Sequence, residues 1–266
     1  MAILVLLLVV AAIAPWIEPY PPLETSTRET LVPPFWYAEG SAKYLLGTDG
    51  SGRDVLSRII QSTRITVAIV GISLGISIVV GTTLGLIAGY YGGWVDEVIM
   101  RFLDMWSSLP VLLVVLTIVM VMGQGFAVLI GSLALITWPQ PVRLVRVEAL
   151  RLRSQDYVNL AQVAGASKGR ILYRHILPGV VNTVVVVATL RAGTLILTEA
   201  TLSFLGAGVP PPNPSWGAMI ADGRDYIQEA WWITVMPGIA LLLVVMAGNF
   251  LGDWLRDHFD PRLRQV

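Results

Sequence analysis

Long apolar runs, separated by polar segments, dominate the chain. Crossing about 30 Å of hydrocarbon takes roughly 20 residues of α-helix, so runs of that order are candidate membrane spans. Six such runs occur, of which the first and fourth are short, at residues 1–17, 65–91, 98–122, 126–138, 179–200 and 233–252. The pattern predicts an all-α polytopic membrane protein with six transmembrane helices in a single domain over residues 1–266.

Basic residues on the two sides of these spans predict the orientation. With the amino terminus inside, the segments on that side carry eleven Lys and Arg residues and the opposite side carries six. An excess of basic residues near the ends of membrane spans marks the cytoplasmic side. We therefore expect both termini and residues 139–178 in the cytoplasm, with residues 18–64 and 201–232 outside. Tryptophans at the predicted boundaries agree with these limits: Trp16, Trp94, Trp138, Trp231, Trp232 and Trp254.

Glycines recur at four-residue spacing in the second predicted span. Gly81, Gly85 and Gly89 fall on one helical face, and Gly71 and Gly75 precede them. Because small residues let two helix backbones approach closely, this stripe predicts a tight helix–helix contact.

The composition supports a membrane protein and excludes several kinds of chemistry. Apolar residues make up 55% of the chain, charged residues 14%, and the mean hydropathy is +0.70. No cysteine is present, which excludes disulfides and thiolate metal sites. The 18 basic and 18 acidic residues balance, which argues against nucleic acid as a partner.

Catalytic signatures are missing as well. Lysine occurs only at Lys43 and Lys168, neither preceded by glycine, so no phosphate-binding G-x-x-x-x-G-K-[ST] loop exists. His175 and His258 lie far apart without zinc-site spacing. No nucleophile with a neighbouring base stands out, which disfavours an intramembrane enzyme.

The segment at residues 139–178 is the most informative polar stretch. It is long and basic, and it separates two apolar runs. Gly165 suits the left-handed end of a helix, and Ser167 suits the start of a new helix that runs into the fifth span. Two interpretations follow from the residues alone: a compact cytoplasmic projection that passes motion from a soluble motor, or an amphipathic helix on an anionic membrane surface.

Within this segment, the sequence N-L-A-Q-V-A-G followed by R-H-I-L-P resembles the EAA motif of permease subunits of bacterial ATP-binding-cassette (ABC) importers. The motif's glycine falls at Gly165, its second alanine at Ala161, and its closing residues at Leu177-Pro178, whereas Asn159 occupies the glutamate position. In that family the motif seats a short coupling helix on the ATPase. The resemblance implies an ATPase-coupling site formed by Tyr157, Asn159, Ala161, Gly165, Ala166, Ser167, Lys168 and Arg170.

Other segments resemble the dipeptide and oligopeptide branch of these permeases, in the order of its C-type subunit. They read GTDGSGRDVLSRIIQSTRIT, AGYYGGWVDEVIMRFLD, TEATLSFLGAGVPPPNPSWG and GNFLGDWLRDHFDPRLR. The resemblance implies a type I ABC importer permease fold in the bacterial inner membrane. It also implies import of dipeptides or oligopeptides, with nickel chelates or haem as alternative cargo. A stand-alone channel or carrier is the competing class of transporter.

The same resemblance implies the partners. They are the lipid bilayer, a homologous second permease, two ATPase subunits and an extracytoplasmic peptide-binding protein. ATP and magnesium would bind the ATPases, and no cofactor is expected on this chain.

Two ionisable residues fall inside the fifth predicted span. Arg191 and Glu199 are eight positions apart, which places them roughly 80° apart around a helix, so we expect each to have a different partner. A charge at membrane depth must face a cavity or a polar group. Both are candidate pathway or gate residues, and for Glu199 we favour a structural or gating contact over a direct contact with substrate.

Two outer segments carry further candidates. Pro212, Pro214 and Trp216 stiffen residues 201–232, either as a rigid cap or as a docking surface for a binding protein. Charged residues just before the second span sit at turn-like spacing and are expected to pair with one another or with the partner permease: Asp49, Arg53, Asp54 and Arg58.

Overall fold

A computed structural model describes residues 2–259, with no side-chain detail for a few positions near the two ends of that range. Within that range the chain is helical apart from loops and an isolated β-bridge between Thr48 and Asp54. The helices are α1 (Ala2–Ile17), α2 (Val55–Tyr91), α3 (Gly93–Ser107), α4 (Val111–Met122), α5 (Phe126–Thr137), α6 (Pro139–Arg153), α7 (Asp156–Val163), α8 (Lys168–Ile171), α9 (Leu177–Phe204), α10 (Trp216–Gly223) and α11 (Trp232–Phe259). A π-helical turn, Leu172–Ile176, joins α8 to α9, and a 3-10 turn, Arg224–Tyr226, follows α10.

The helices long and apolar enough to cross a membrane differ from the predicted spans. In the described part of the chain there are four: Val55–Tyr91, Phe126–Arg153, Lys168–Phe204 and Trp232–Leu255. The third predicted span is instead two helices, α3 and α4, bent by 81°. Pro110, which begins α4, has no N–H to continue a helix and disfavours helical geometry in the residue before it. The first predicted span is a shorter apolar helix, Leu6–Ile17.

The predicted cytoplasmic loop at 139–178 is also largely helical. The α5–α6 stretch continues to Arg153, and the next long stretch starts at Lys168 rather than at residue 179. Proline is accepted at the start of α6 because the first turn of a helix leaves its N–H groups unbonded. The segment between the two long stretches is therefore limited to residues 154–167.

Ion pairs hold the basic residues of α6 against α3. Arg143 contacts Asp104 of α3 at 2.8 Å, and Arg146 binds the Asp96 carboxylate of the same helix. Two arginines of the predicted cytoplasmic segment are thus paired with carboxylates of α3, a pairing that local sequence did not indicate.

The glycine stripe of α2 lies against α6, as predicted. A Cβ atom on Gly85 would lie 2.7 Å from the carbonyl oxygen of Val142, and one on Gly81 would lie 2.5 Å from the Cβ atom of Pro141. One on Gly89 would meet the Cβ atom of Ala149 at 2.7 Å. Only glycine allows this approach. Gly71 and Gly75, by contrast, have no neighbouring atom within 4 Å of such a Cβ position.

Three of the charged residues around the start of α2, Asp49, Arg53 and Arg58, form the predicted structural pairs. Asp49 contacts Arg53 at 2.7 Å and the buried Arg58 at 3.6 Å, and Arg58 also lies 3.8 Å from Asp222 after the proline-rich loop. Asp54 caps α2 by accepting a hydrogen bond from the Ser57 amide at 2.8 Å. Burial raises the pKa of the Asp54 carboxyl, and the hydrogen bonds from Ser57 oppose that rise.

Candidate coupling site and pathway face

The end of α7 has the geometry that the glycine at position 165 predicted. Gly165 adopts φ +80°, in the left-handed region. Its amide donates to the Gln162 carbonyl at 3.0 Å, and the Ala166 amide donates to the Ala161 carbonyl at 3.0 Å. These two bonds make a Schellman motif, which satisfies the free carbonyls at a helix end. The chain thus reverses sharply between α7 and α8.

A buried apolar cluster fixes this turn to the membrane helices. Val158, on the inner side of α7, is fully buried, and Ala161 and Ala166 pack against the same cluster. The other buried members come from α2, α6 and the start of the α8–α9 stretch: Leu86, Tyr90, Val145, Ala149, Leu152, Ile171, Ile176 and Val180. Close packing of this kind transmits displacement, so a push on α7 reaches three long helices.

The outer side of α7 is apolar and uncovered. Leu160 is 68% exposed and Val163 is 87% exposed. Asn159 is also exposed, and its side chain makes no hydrogen bond within residues 2–259. The sequence interpretation did not single out Leu160 and Val163, although their three-residue spacing on a short helix was a usable signal. Two bare apolar side chains beside a free amide suit a protein interface.

The remaining coupling residues lie at the start of the next helix. Ser167 begins α8 and accepts a hydrogen bond from the Arg170 amide at 3.4 Å, as predicted for a helix cap. The Lys168 ammonium lies 5.6 Å from the centre of the Tyr91 ring, at the end of α2. The Tyr157 hydroxyl donates to the His175 carbonyl at 3.4 Å. The predicted coupling residues therefore lie around the turn between α7 and α8.

A π-helical turn carries this region into α9. Pro178 cannot donate the hydrogen bond that an α-helix expects, and its ring crowds the carbonyl four residues earlier. The wider turn at Leu172–Ile176 lies directly before it. Irregular helix of this kind often occurs at functional positions.

The two ionisable residues of α9 have separate environments, as expected. Glu199 is fully buried and accepts hydrogen bonds from Ser203 Oγ at 2.7 Å and from Thr66 Oγ1 at 3.4 Å. The second bond joins α9 to α2. Arg191 is half-buried near the middle of α9 and lines a cavity of about 430 Å³. The geometry fits a structural contact for Glu199, and Arg191 faces open space.

The predicted outer docking residues divide into surface and core. Pro212 is exposed, but Pro214 is buried and Trp216 is only 1% exposed. The Trp216 indole N–H donates to the Ile59 carbonyl at 3.3 Å, which ties α10 to α2. The expectation that Trp216 presents a rigid aromatic to a partner is wrong in this structure, because the ring fills the core beneath the loop.

Comparison with known proteins gives a consistent result. A profile of the family described as binding-protein-dependent transport system inner membrane component matches residues 81–265. The di/tripeptide transport system permease protein DppC of Pseudomonas aeruginosa is 42% identical, over 99% of this chain and 88% of that protein. The dipeptide transport system permease protein DppC of Haemophilus influenzae is 41% identical, over 98% of this chain and 90% of that protein. The glutathione transport system permease protein GsiD of Pectobacterium atrosepticum is 43% identical, over 84% of this chain and 74% of that protein.

Solved structures agree on the fold. An inward-facing structure of the MetNI methionine ABC transporter superposes with a TM-score of 0.62 at 19% identity, covering 76% of this chain and 96% of that chain. At this identity the likeness concerns architecture alone. It confirms the helical importer fold predicted from the sequence. The chain therefore belongs to the family of binding-protein-dependent transport system inner membrane components, as a multi-pass permease subunit of an ABC importer.

Proposed function

We propose that this chain forms, with a homologous second permease, the inner-membrane pathway for uptake of short peptides. Relatives that are 41–43% identical are named for di/tripeptide, dipeptide and glutathione transport. These cargoes are all peptides of two or three residues. Such identity over most of the chain supports a cargo of the same class.

Energy for transport would come from two ATPase subunits that bind ATP and magnesium. The single observation that carries this part of the proposal is the uncovered apolar surface of α7, where Leu160 and Val163 project from a turn fixed to α2, α6 and α9. An ATPase seated on that surface would move the helices of the pathway. The basic residues of the inner segments support placing this surface and both termini in the cytoplasm.

On the outer side, a peptide-binding protein would deliver cargo to the loop between α9 and α11. Pro212 and neighbouring exposed residues of that loop supply the contact surface in this proposal. The buried Trp216 supports the loop from below.

Uptake by cells with and without this subunit tests the cargo. We expect deletion to abolish accumulation of labelled di- and tripeptides and a plasmid copy to restore it, with nickel and haem uptake unchanged. Unchanged peptide uptake, together with lost nickel or haem uptake, would contradict the proposed cargo.

Disulfide trapping tests the motor contact. The chain has no cysteine of its own, so Val163→Cys introduces a single thiol at the proposed interface. We expect this thiol to cross-link to a cysteine in the cleft of the ATPase, and Glu229→Cys, exposed on the opposite side, to give no product. Equal cross-linking from both positions would count against the assignment.

A further inference from the structure

A cavity with both polar and apolar walls lies between the α3–α4 bend, the α5–α6 stretch and the middle of α9. Its volume is about 430 Å³, within the range of small-molecule sites. The polar part of its lining consists of Ser107, Thr137, Gln140, Arg143 and Arg191. A smaller cavity of about 190 Å³ shares Thr137 and Arg191 and continues along α9 past Thr194 and Thr198. Together they form an open groove whose lining combines apolar side chains with these polar ones.

Arg191 has no partner in the described part of the chain: no hydrogen bond or ion pair involves its guanidinium. Arg143, in the same cavity, is held by Asp104 at 2.8 Å. Glu199, on the same helix as Arg191, accepts hydrogen bonds from Ser203 and Thr66 and is not a partner of Arg191. An unpaired guanidinium at membrane depth is costly and needs an anion, so its counter-charge comes from outside the described residues.

Gln140 contributes to the cavity wall, but its Oε1 atom is buried and accepts no hydrogen bond. An atom without accessible surface does not face a molecule in the cavity. The cavity therefore presents one charged donor in need of an anion, the Arg191 guanidinium.

We propose that this groove is a transit subsite for the carboxylate-terminated end of a short peptide. The Arg191 guanidinium donates to the terminal carboxylate. The proposal rests on the proposed function, since it takes the cargo to be a peptide. One ion pair in an open groove suits a pathway, because a transported molecule must bind and then leave.

Protection of a single cysteine tests the subsite directly. In the assembled transporter in proteoliposomes, without the binding protein, Thr194→Cys should react with N-ethylmaleimide because the groove is wet. Millimolar alanyl-alanine should slow this reaction at least fivefold, and alanyl-alanine amide should slow it less than twofold. Arg191→Gln should remove the protection, and Arg191→Lys should keep part of it. Gln228→Cys, in the outer loop, should react without protection in every case.

Several results would overturn the subsite. They are an unreactive Thr194→Cys, equal protection by the free and the amidated peptide, or full protection in Arg191→Gln. Loss of the second permease from purified Arg191→Gln transporter would also overturn it, because Arg191 would then pair with an acid of that subunit. Uptake by the unmodified transporter separates the two proposals. No alanyl-alanine uptake contradicts the peptide cargo, whereas uptake without protection contradicts the subsite alone.

Discussion

The Arg146 guanidinium of α6 binds both carboxylate oxygens of Asp96 on α3 through its Nε and Nη2 atoms. Such a two-bond contact fixes orientation as well as distance. With the contact between Arg143 and Asp104, it fastens α3 along α6 at two points. This attachment positions α3, whose last residues Trp106 and Ser107 form one wall of the Arg191 cavity.

Asp96→Asn is expected to loosen α3. Asp96 and Arg146 have side chains that are 15% and 28% exposed, so the substitution leaves a largely buried guanidinium without its carboxylate, at a cost of about 1–3 kcal/mol. The melting temperature of the detergent-solubilised transporter should fall. Arg101→Gln is the matched control, because the pair between Arg101 and Glu97 on the same helix is 75% and 57% exposed. Equal melting temperatures for the two variants would contradict the structural role.

Gly85→Ala is expected to separate α2 from α6. The new methyl group would meet the Val142 carbonyl oxygen at 2.7 Å, and overpacking of this kind costs about 1–3 kcal/mol. Folded protein in the membrane should decrease, as measured by fluorescence-detected gel filtration. Gly75→Ala, about three helical turns earlier in α2 with open space around it, should leave this chain's own folding unchanged. A greater loss of folded protein from Gly75→Ala than from Gly85→Ala would contradict the close contact between α2 and α6.

The sequence predicted the class of fold and the coupling turn because both depend on local signals. Apolar runs and the cap residues Gly165 and Ser167 are readable from neighbouring positions, and the structure places them as expected. The continuation of the fourth predicted span beyond Trp138 was not predicted, because the arginines of α6 find their carboxylates on α3, dozens of positions earlier in the chain. Burial of Trp216 was missed for the same reason, since its partner is Ile59 of α2. Contacts between distant segments leave no local pattern.

Glu199→Gln and Glu199→Ala distinguish a structural contact from a charge-dependent gate. Ser203 and Thr66 both hydrogen-bond the Glu199 carboxylate, and a glutamine can keep bonds to two hydroxyl groups. We expect Glu199→Gln to retain at least half of wild-type uptake. Glu199→Ala leaves a cavity and two hydroxyl donors without their acceptor, at a cost of about 2–4 kcal/mol, and should lower the melting temperature and uptake together. Loss of uptake in a fully stable Glu199→Gln variant would instead indicate that the charge itself is required.

Gly165→Val tests whether the turn after α7 passes motion between subunits. No atom lies within 4 Å of the position that a Cβ would occupy, so the effect arises from the backbone. A β-branched residue at φ +80° costs about 1–2 kcal/mol or more, and the turn would relax and move Leu160 and Val163. We expect membrane insertion to persist while uptake and peptide-stimulated ATP hydrolysis fall at least fivefold.

Two variants serve as controls. Gly165→Asn, whose new side chain tolerates this conformation, should retain more activity than Gly165→Val. Gly169→Ala, in α8 with open space around it and no positive φ, should behave as wild type. Normal uptake in Gly165→Val would exclude this turn as the route by which ATP hydrolysis reaches the membrane helices.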